Sequence, residues 1–303
     1  MRAQWYPIPI MPEGDTIFRA AVALRKALLH EVLTDFESSL DVIREIDLRT
    51  PVVGRKVHAV EAVGKHLMMV FRVEQTSDSG FLSEPVPTPA AWGFDLLRGD
   101  LVLHTHMRMT GSWHIYRRGE VWRKPTSYAR VVLSTKDFVV PCFSAPVVEL
   151  LTASEAVRHP MLTSRGTDAI TDGFDSSLAF RQLRLFNNMP VGVALMNQRA
   201  MAGVGNVFKS EVMYIQRINP FNCMSELDDL TLQNLIEESH NLLVLNRTRS
   251  ARRTRFVLNE RERLWVYGRS GEPCFTCGTL IKMQRQGLDG RSTYYCPRCQ
   301  TGE

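Results

Sequence analysis

Four of the six cysteines stand in two pairs, Cys274-Phe-Thr-Cys277 and Cys296-Pro-Arg-Cys299, with eighteen residues between the pairs. Each pair offers two thiolates from one tight turn, and two such turns close a tetrahedron around Zn²⁺. Four thiolates fill the coordination sphere, so one zinc per chain at this place would hold shape and do no chemistry. Free or disulfide-bonded cysteines would not need the paired spacing. The alternation Arg291-Ser-Thr-Tyr-Tyr295 ahead of the second pair predicts a β-hairpin ribbon. Cys142 and Cys223 lie in apolar or mixed surroundings and read as small buried residues.

A second pattern, Met201-Ala-Gly203-Val-Gly205-Asn206-Val-Phe-Lys209-Ser-Glu211, sets two glycines directly before a helix. Glycines permit a tight turn and close backbone approach, and a helix N-terminus aims unpaired N–H groups outward. A DNA phosphate suits that geometry, with Asn206 adding a side-chain donor and Lys209 on the same helix. Read alone, the pattern fits a plain turn between two packed helices better. Between Arg247 and Arg291 lie ten arginines and one lysine against four acids. Arginine's planar fork grips phosphate oxygens in pairs, although a solvated face explains such a charge cluster equally well.

These residues need elements to position them. Of 303 residues, 44% are hydrophobic and the net charge is +5, enough for two domains and a small metal module. No apolar run reaches the eighteen or so residues of a membrane span. Met1 to Ile10 lacks the marks of a secretory signal, so a cytoplasmic protein is expected. Asp15 as a cap, with Ile17, Ala20, Ala21, Leu24 and Leu28 on one face, predicts a helix over about 15–30. Short β-branched or aliphatic runs follow at 52–53, 57–63, 67–73, 100–106, 112–116, 129–134 and 138–141, the pattern of a sandwich or barrel. Residues 75–93, rich in Ser, Pro and Gly, predict a long loop. Helical periodicity then covers 176–188, 190–196, 206–216 and 227–245.

Met11-Pro12-Glu13-Gly14-Asp15-Thr16 makes the pattern specific. With Gly64-Lys65-His66-Leu67, His106-Met-Arg-Met109-Thr-Gly111, the glycine turn and helix at 198–211 and the cysteine pairs, it resembles the formamidopyrimidine-DNA glycosylase/endonuclease VIII family. Five separated motifs occur in the family's order, and the Glu-Gly-Asp start resembles the endonuclease VIII branch. The resemblance implies an α+β multidomain fold. An N-terminal β-sandwich with a leading helix would span 12–162, a linker 163–175, a helix–two-turn–helix domain 176–262 and a zinc-finger β-hairpin 263–303.

It also implies a bifunctional DNA glycosylase and abasic-site lyase of base excision repair, acting on oxidised bases, pyrimidines above all. A proline with a free nitrogen is a secondary amine that can attack the sugar C1′, expel the base and leave an iminium. That cation acidifies the C2′ proton, so the flanking phosphates leave by β,δ-elimination. Glu13 is the implied acid/base. Lys65 is implied to reach the phosphate or the lesion; read alone it is a strand-edge lysine. Arg291, five residues before Cys296, matches the finger arginine that grips phosphates around the flipped nucleotide. Asn206 is the implied phosphate contact. Met109 is the candidate wedge for the void left by base flipping, with Arg108 beside it reaching DNA, although a strand-end methionine is more often core. The implied partner is damaged duplex DNA, with the chain a nucleoid-associated monomer that needs no membrane and no small-molecule cofactor.

Several positions depart from the family pattern. Met1 to Ile10 precede its start, and an amide bond from Met11 would leave Pro12 no usable lone pair. Translation from Met11 with removal of that Met, or trimming of residues 1–11, is therefore expected. Without either, the reading becomes an inactive damaged-DNA-binding protein of the same fold. A zinc-ribbon adaptor with an unrelated N-terminal domain is the remaining reading, and it gives Pro12 and Glu13 no role. Met107 replaces the usual Leu, and Arg165-Gly-Thr-Asp168 stands where Leu-Gly-Pro-Asp is expected.

Overall fold

The computed structural model describes residues 12–74 and 83–301. These described residues divide into two units, one of residue 12 and those within 16–163, the other of residues 13–15 and 164–301. Among the described residues no helix is long and apolar enough to cross a membrane.

The first unit is a two-layer β-sandwich with a leading helix. One antiparallel sheet runs in the order Asp35–Ser38, Ala129–Ser134, Phe138–Phe143, Ser112–Trp113, with Tyr116–Arg117 also on Phe138–Phe143. The other runs Val147–Thr152, Leu101–His106, His66–Arg72, Lys56–Val63. Val131, Leu133 and Val140 of the first sheet share one buried cluster with Val57, Leu67, Met69 and Leu103 of the second. Helix Gly14–Leu28 seals that cluster with Ile17, Ala21, Leu24 and Leu28, which recur at helical spacing and are all buried. A second cluster of Met68, Val70, Val102, Trp92 and Ala156 covers the far face of the second sheet. Strand His66–Arg72 is therefore buried on both faces, which explains its unbroken apolar run.

The second unit is helical around Asn206–Ile215, whose residues from Asn206 to Tyr214 are all buried. Ser176–Arg184, Val191–Ala194 and Asp229–Asn246 are its other helices. Its chain ends in the antiparallel hairpin Lys282–Gln286 with Arg291–Tyr295. Glu211 organises the segment that leads there. Its buried carboxylate accepts the Trp265, Val266 and Tyr267 N–H groups at 2.7, 2.9 and 2.8 Å, and the Thr254 hydroxyl as well. Burial pushes its pKa up, and those donors work against the rise.

Several elements differ from expectation. Residues 52–53 form no strand, because Val52 sits in a turn that feeds Lys56–Val63. Strand Asp35–Ser38, helix Asp41–Arg49 and strand Val147–Thr152 were not anticipated. Asp35–Ser38 carries one apolar residue, those of Val147–Thr152 fall in adjacent pairs without alternation, and the short helix Asp41–Arg49 buries only Ile43, so contacts distant in sequence decide them. Of the expected loop 75–93, residues 75–82 lie outside the described residues. The remainder is tied down by the pair Pro85–Val86 with Leu96–Leu97 and by a buried Trp92. The stretch 163–175 is likewise anchored, with Thr167–Asp168 paired in parallel to Met201–Ala202.

Candidate active site

The helix N-terminus after the glycine turn, which read alone fits a plain turn between packed helices and by the resemblance a phosphate contact, already holds an anion of the chain itself. Glu13 occupies it. The carboxylate accepts the backbone N–H groups of Val207 at 2.7 Å, Gly205 at 3.1 Å and Phe208 at 3.3 Å, and Glu13 is 0% exposed. An anion there meets both unpaired N–H groups and the positive end of the helix dipole. Gly205 is required for steric reasons alone. Its φ of −124° is ordinary extended backbone, but a Cβ would stand 2.7 Å from Glu13 Oε1 and closer still to the carbons behind it. The Gly14 N–H bonds the Gly203 carbonyl oxygen at 3.0 Å, which fixes the backbone beside Glu13.

Asp15 is not the helix cap read from the sequence. It is buried in a salt bridge to Arg252, whose Nε donates to its Oδ2 at 3.0 Å, and Arg252 Nη1 lies 3.5 Å from Glu13 Oε1. Burial works against the guanidinium charge, but Asp15 and Glu13 outweigh it and raise the pKa of Arg252. The guanidinium also lies over the Phe208 ring, 4.9 Å from its centre. In sequence Arg252 was one arginine among many. Its burial against both Asp15 and Glu13 separates it from the cluster.

Lys209 departs furthest from its expected role as a DNA contact. It is 1% exposed, and Nζ donates to Thr293 Oγ1 at 2.7 Å and to the Ser292 carbonyl oxygen at 3.2 Å. Burial lowers its pKa to about 7, with Glu13 opposing the shift and Arg291 adding to it. Asn206, also buried, donates from Nδ2 to Ser292 Oγ at 2.9 Å. Both side chains therefore grip the strand that begins at Arg291. Arg291 itself is 44% exposed, 3.5 Å from Asp289.

The four paired cysteines converge as expected. Thiolates about 2.3 Å from a tetrahedral zinc stand about 3.8 Å from one another. Cys274 and Cys299 Sγ are 3.8 Å apart, and Cys277 and Cys296 Sγ 3.5 Å. The residues fit one structural zinc, held against a cluster of Tyr214, Val266 and Ile281. Cys142 is fully buried, and its thiol pKa is pushed up; Cys223 is only half-buried.

The remaining candidates belong to the first unit. Pro12 is half-buried, and Lys65 follows Gly64 in the turn joining Lys56–Val63 to His66–Arg72, where Gly64 has φ +64°. His66 and His106 rings meet edge to face at 4.7 Å. Burial, then Lys65, His104 and Arg108, lower the His106 pKa to about 4, so it is neutral at pH 7. Met109 is 52% exposed, not core, and Arg108 before it holds a positive φ of +43°. An N–H bond from Arg108 to His106 Nδ1 at 3.1 Å supports that turn. Gly111 is sterically demanded, since a Cβ would stand 2.7 Å from Met107 Cα and 2.9 Å from Ala145 Cα.

A sandwich, a helix–two-turn–helix unit and a four-cysteine finger on one chain define a class of DNA-repair architecture, and known families match it piece by piece. The formamidopyrimidine-DNA glycosylase N-terminal domain matches residues 11–146, its H2TH domain residues 166–253, and the zinc finger found in FPG and IleRS residues 271–302. The chain is 34% identical over 296 residues to a probable endonuclease 8 2 of Streptomyces coelicolor, covering 96% of this chain and 95% of that one. It is 32% identical to the DNA-(apurinic or apyrimidinic site) lyase Nei2 of Mycolicibacterium smegmatis, covering 96% and 99%. A Lactococcus lactis Fpg solved with N7-benzyl-Fapy-dG DNA shares the fold at 19% identity and a TM-score of 0.72, over 95% of this chain and 99% of that one. The chain belongs to the formamidopyrimidine-DNA glycosylase/endonuclease VIII family.

Proposed function

We propose that this protein is a bifunctional DNA glycosylase and abasic-site lyase of base excision repair, with Pro12 as nucleophile and Glu13 as its acid/base. The observation that carries this reading is the Glu13 carboxylate, fully buried and held by three backbone N–H groups directly after Pro12 in the chain. Glu211 shows that a buried carboxylate on three backbone N–H groups can be structural, so what distinguishes Glu13 is its place next to a proline in the chain. Relatives named endonuclease 8 and abasic-site lyase support the same chemistry.

In this reading the Pro12 nitrogen bonds to C1′ and the C1′–base bond breaks, the base leaving with the electron pair and a proton. Glu13 protonates the ring oxygen as the C1′–O4′ bond opens, leaving the iminium. Loss of the C2′ proton expels the 3′ phosphate, a second elimination expels the 5′ phosphate, and water frees Pro12. Lys65 and Arg291 neutralise phosphate, Met109 fills the stack and Arg108 flanks it. Asn206, whose amide already holds Ser292, is the helix–two-turn–helix residue proposed to meet a phosphate. Lys209 positions the finger strand. The substrate is duplex DNA carrying an oxidised pyrimidine, bound by a monomer in the cytoplasm at the nucleoid. Pro12 needs a free nitrogen, so the active chain begins there; the family's N-terminal domain, matching from residue 11, supports that start.

Borohydride trapping tests this on a duplex with one abasic site or one oxidised pyrimidine. A chain beginning at Pro12 should give a covalent adduct, and the same chain with Pro12→Gly, or the chain from Met1, should not. No adduct from the Pro12 chain on any substrate would replace this reading with a non-catalytic damaged-DNA-binding protein.

A further inference from the structure

In the first unit, His104 and Glu149 are cross-strand partners on Leu101–His106 and Val147–Thr152, with side chains on one face of the sheet. His104 Nδ1 lies 2.7 Å from Glu149 Oε2, and His159, in the turn ahead of helix Pro160–Thr163, brings Nε2 to 3.3 Å from the same oxygen. The three ligand atoms lie within 4.8 Å of one another. None of these residues has a part in the proposed chemistry or in the cysteine finger.

We propose that His104, Glu149 and His159 form a second divalent-metal site, one that takes zinc. Ligand atoms about 2.0–2.1 Å from a tetrahedral zinc stand about 3.3 Å apart. The observed 2.7 and 3.3 Å separations therefore need only small side-chain adjustments to admit an ion. Two imidazoles and one carboxylate are a borderline donor set suited to zinc, not to calcium or magnesium. The outer support is also built. Metal-bound histidines usually donate their second ring nitrogen to a fixed acceptor, and His104 Nε2 lies 2.7 Å from His66 Nδ1. His104 is 0% exposed while the Glu149 side chain is 37% exposed, so the site is rigid on one side and open to solvent on the other. A fourth position is left for water.

An ion here would pin the turn at His159 to the sheet. It would also dictate the state of His66, the neighbour of Lys65. With the metal on His104 Nδ1, the His104 proton sits on Nε2 and is donated to His66 Nδ1, so a neutral His66 must carry its own proton on Nε2.

The test is zinc stoichiometry by elemental analysis of the full chain, equilibrated with excess zinc and desalted. Cobalt substitution then reads the ligand type. Two zinc ions per chain are expected, falling to one in Glu149→Gln and in His159→Gln, each checked for folding by circular dichroism. In cobalt-loaded protein the lost equivalent should carry visible d–d absorption without added thiolate charge transfer. A single zinc in the unaltered chain would overturn the proposal. So would a second equivalent that survives both substitutions, since that marks adventitious binding elsewhere.

Discussion

Alanine at position 205 would test the Glu13 seat with a single methyl group. The Gly205 backbone, at φ −124°, accepts any residue, so the perturbation is the new Cβ, which would stand 2.7 Å from Glu13 Oε1. Either the turn shifts to make room, at the about 1–3 kcal/mol typical of overpacking, or the carboxylate leaves. Leaving forfeits hydrogen bonds from Gly205, Val207 and Phe208, each worth about 1.5–3 kcal/mol to an ionised acceptor. The cheaper course is the shift, so Gly205→Ala should cost about 1–3 kcal/mol and remain folded against a typical total of about 5–15 kcal/mol. The shift displaces Glu13 by a fraction of an ångström to an ångström. For an acid/base, misplacement on that scale costs on the order of 10²-fold in rate. Single-turnover base excision with enzyme in excess measures the rate, and urea denaturation measures the stability. A variant destabilised as stated but excising at the unaltered rate would refute the acid/base assignment. One with unaltered stability would refute the steric account.

Replacing Arg252 with Met should destabilise the second unit by about 3–5 kcal/mol, because Asp15 and Glu13 would be left buried without their counter-charge; a shift below about 1 kcal/mol in denaturant titration would contradict the pairing. Lys209 predicts a pH dependence. Its pKa is about 7 when folded against an ordinary 10.5, so between these values the unfolded chain holds the extra proton and stability rises with pH. The slope should be at most about 1.4 kcal/mol per pH unit. Lys209→Met should lose that slope between pH 7 and pH 10 in parallel urea titrations; an unchanged slope would assign it to other groups. Removing zinc with a chelator, or changing Cys277 to Ser, should unfold the finger and abolish damaged-DNA binding in a gel-shift assay while the sandwich keeps its β circular dichroism. Retained binding would show that the finger, with Arg291, is dispensable.

Sequence alone determined what depends on local spacing. The two C-x-x-C pairs marked the metal site because each such turn can present its own two thiolates whatever surrounds it, while the 3.8 Å Cys274–Cys299 and 3.5 Å Cys277–Cys296 approaches between the pairs are made by folding. Ile17, Ala21, Leu24 and Leu28 marked their helix because one face of a helix is a periodic object. The motif order carried the family because several separated signals rarely coincide. Tertiary structure decided which polar groups are buried and against what. The glycine turn could be read as a plain turn or as a phosphate seat, and only folding brings Glu13 into it from almost two hundred residues away. Lys209 read as a surface cation, yet the helix carrying it is buried all round and its amine tightens the finger strand. Arg252 was indistinguishable from its neighbours until Asp15 closed on it. Such pairings reflect long-range encounters between single side chains. Burial then makes each of them strong, since a charge removed from water must find its partner inside the protein.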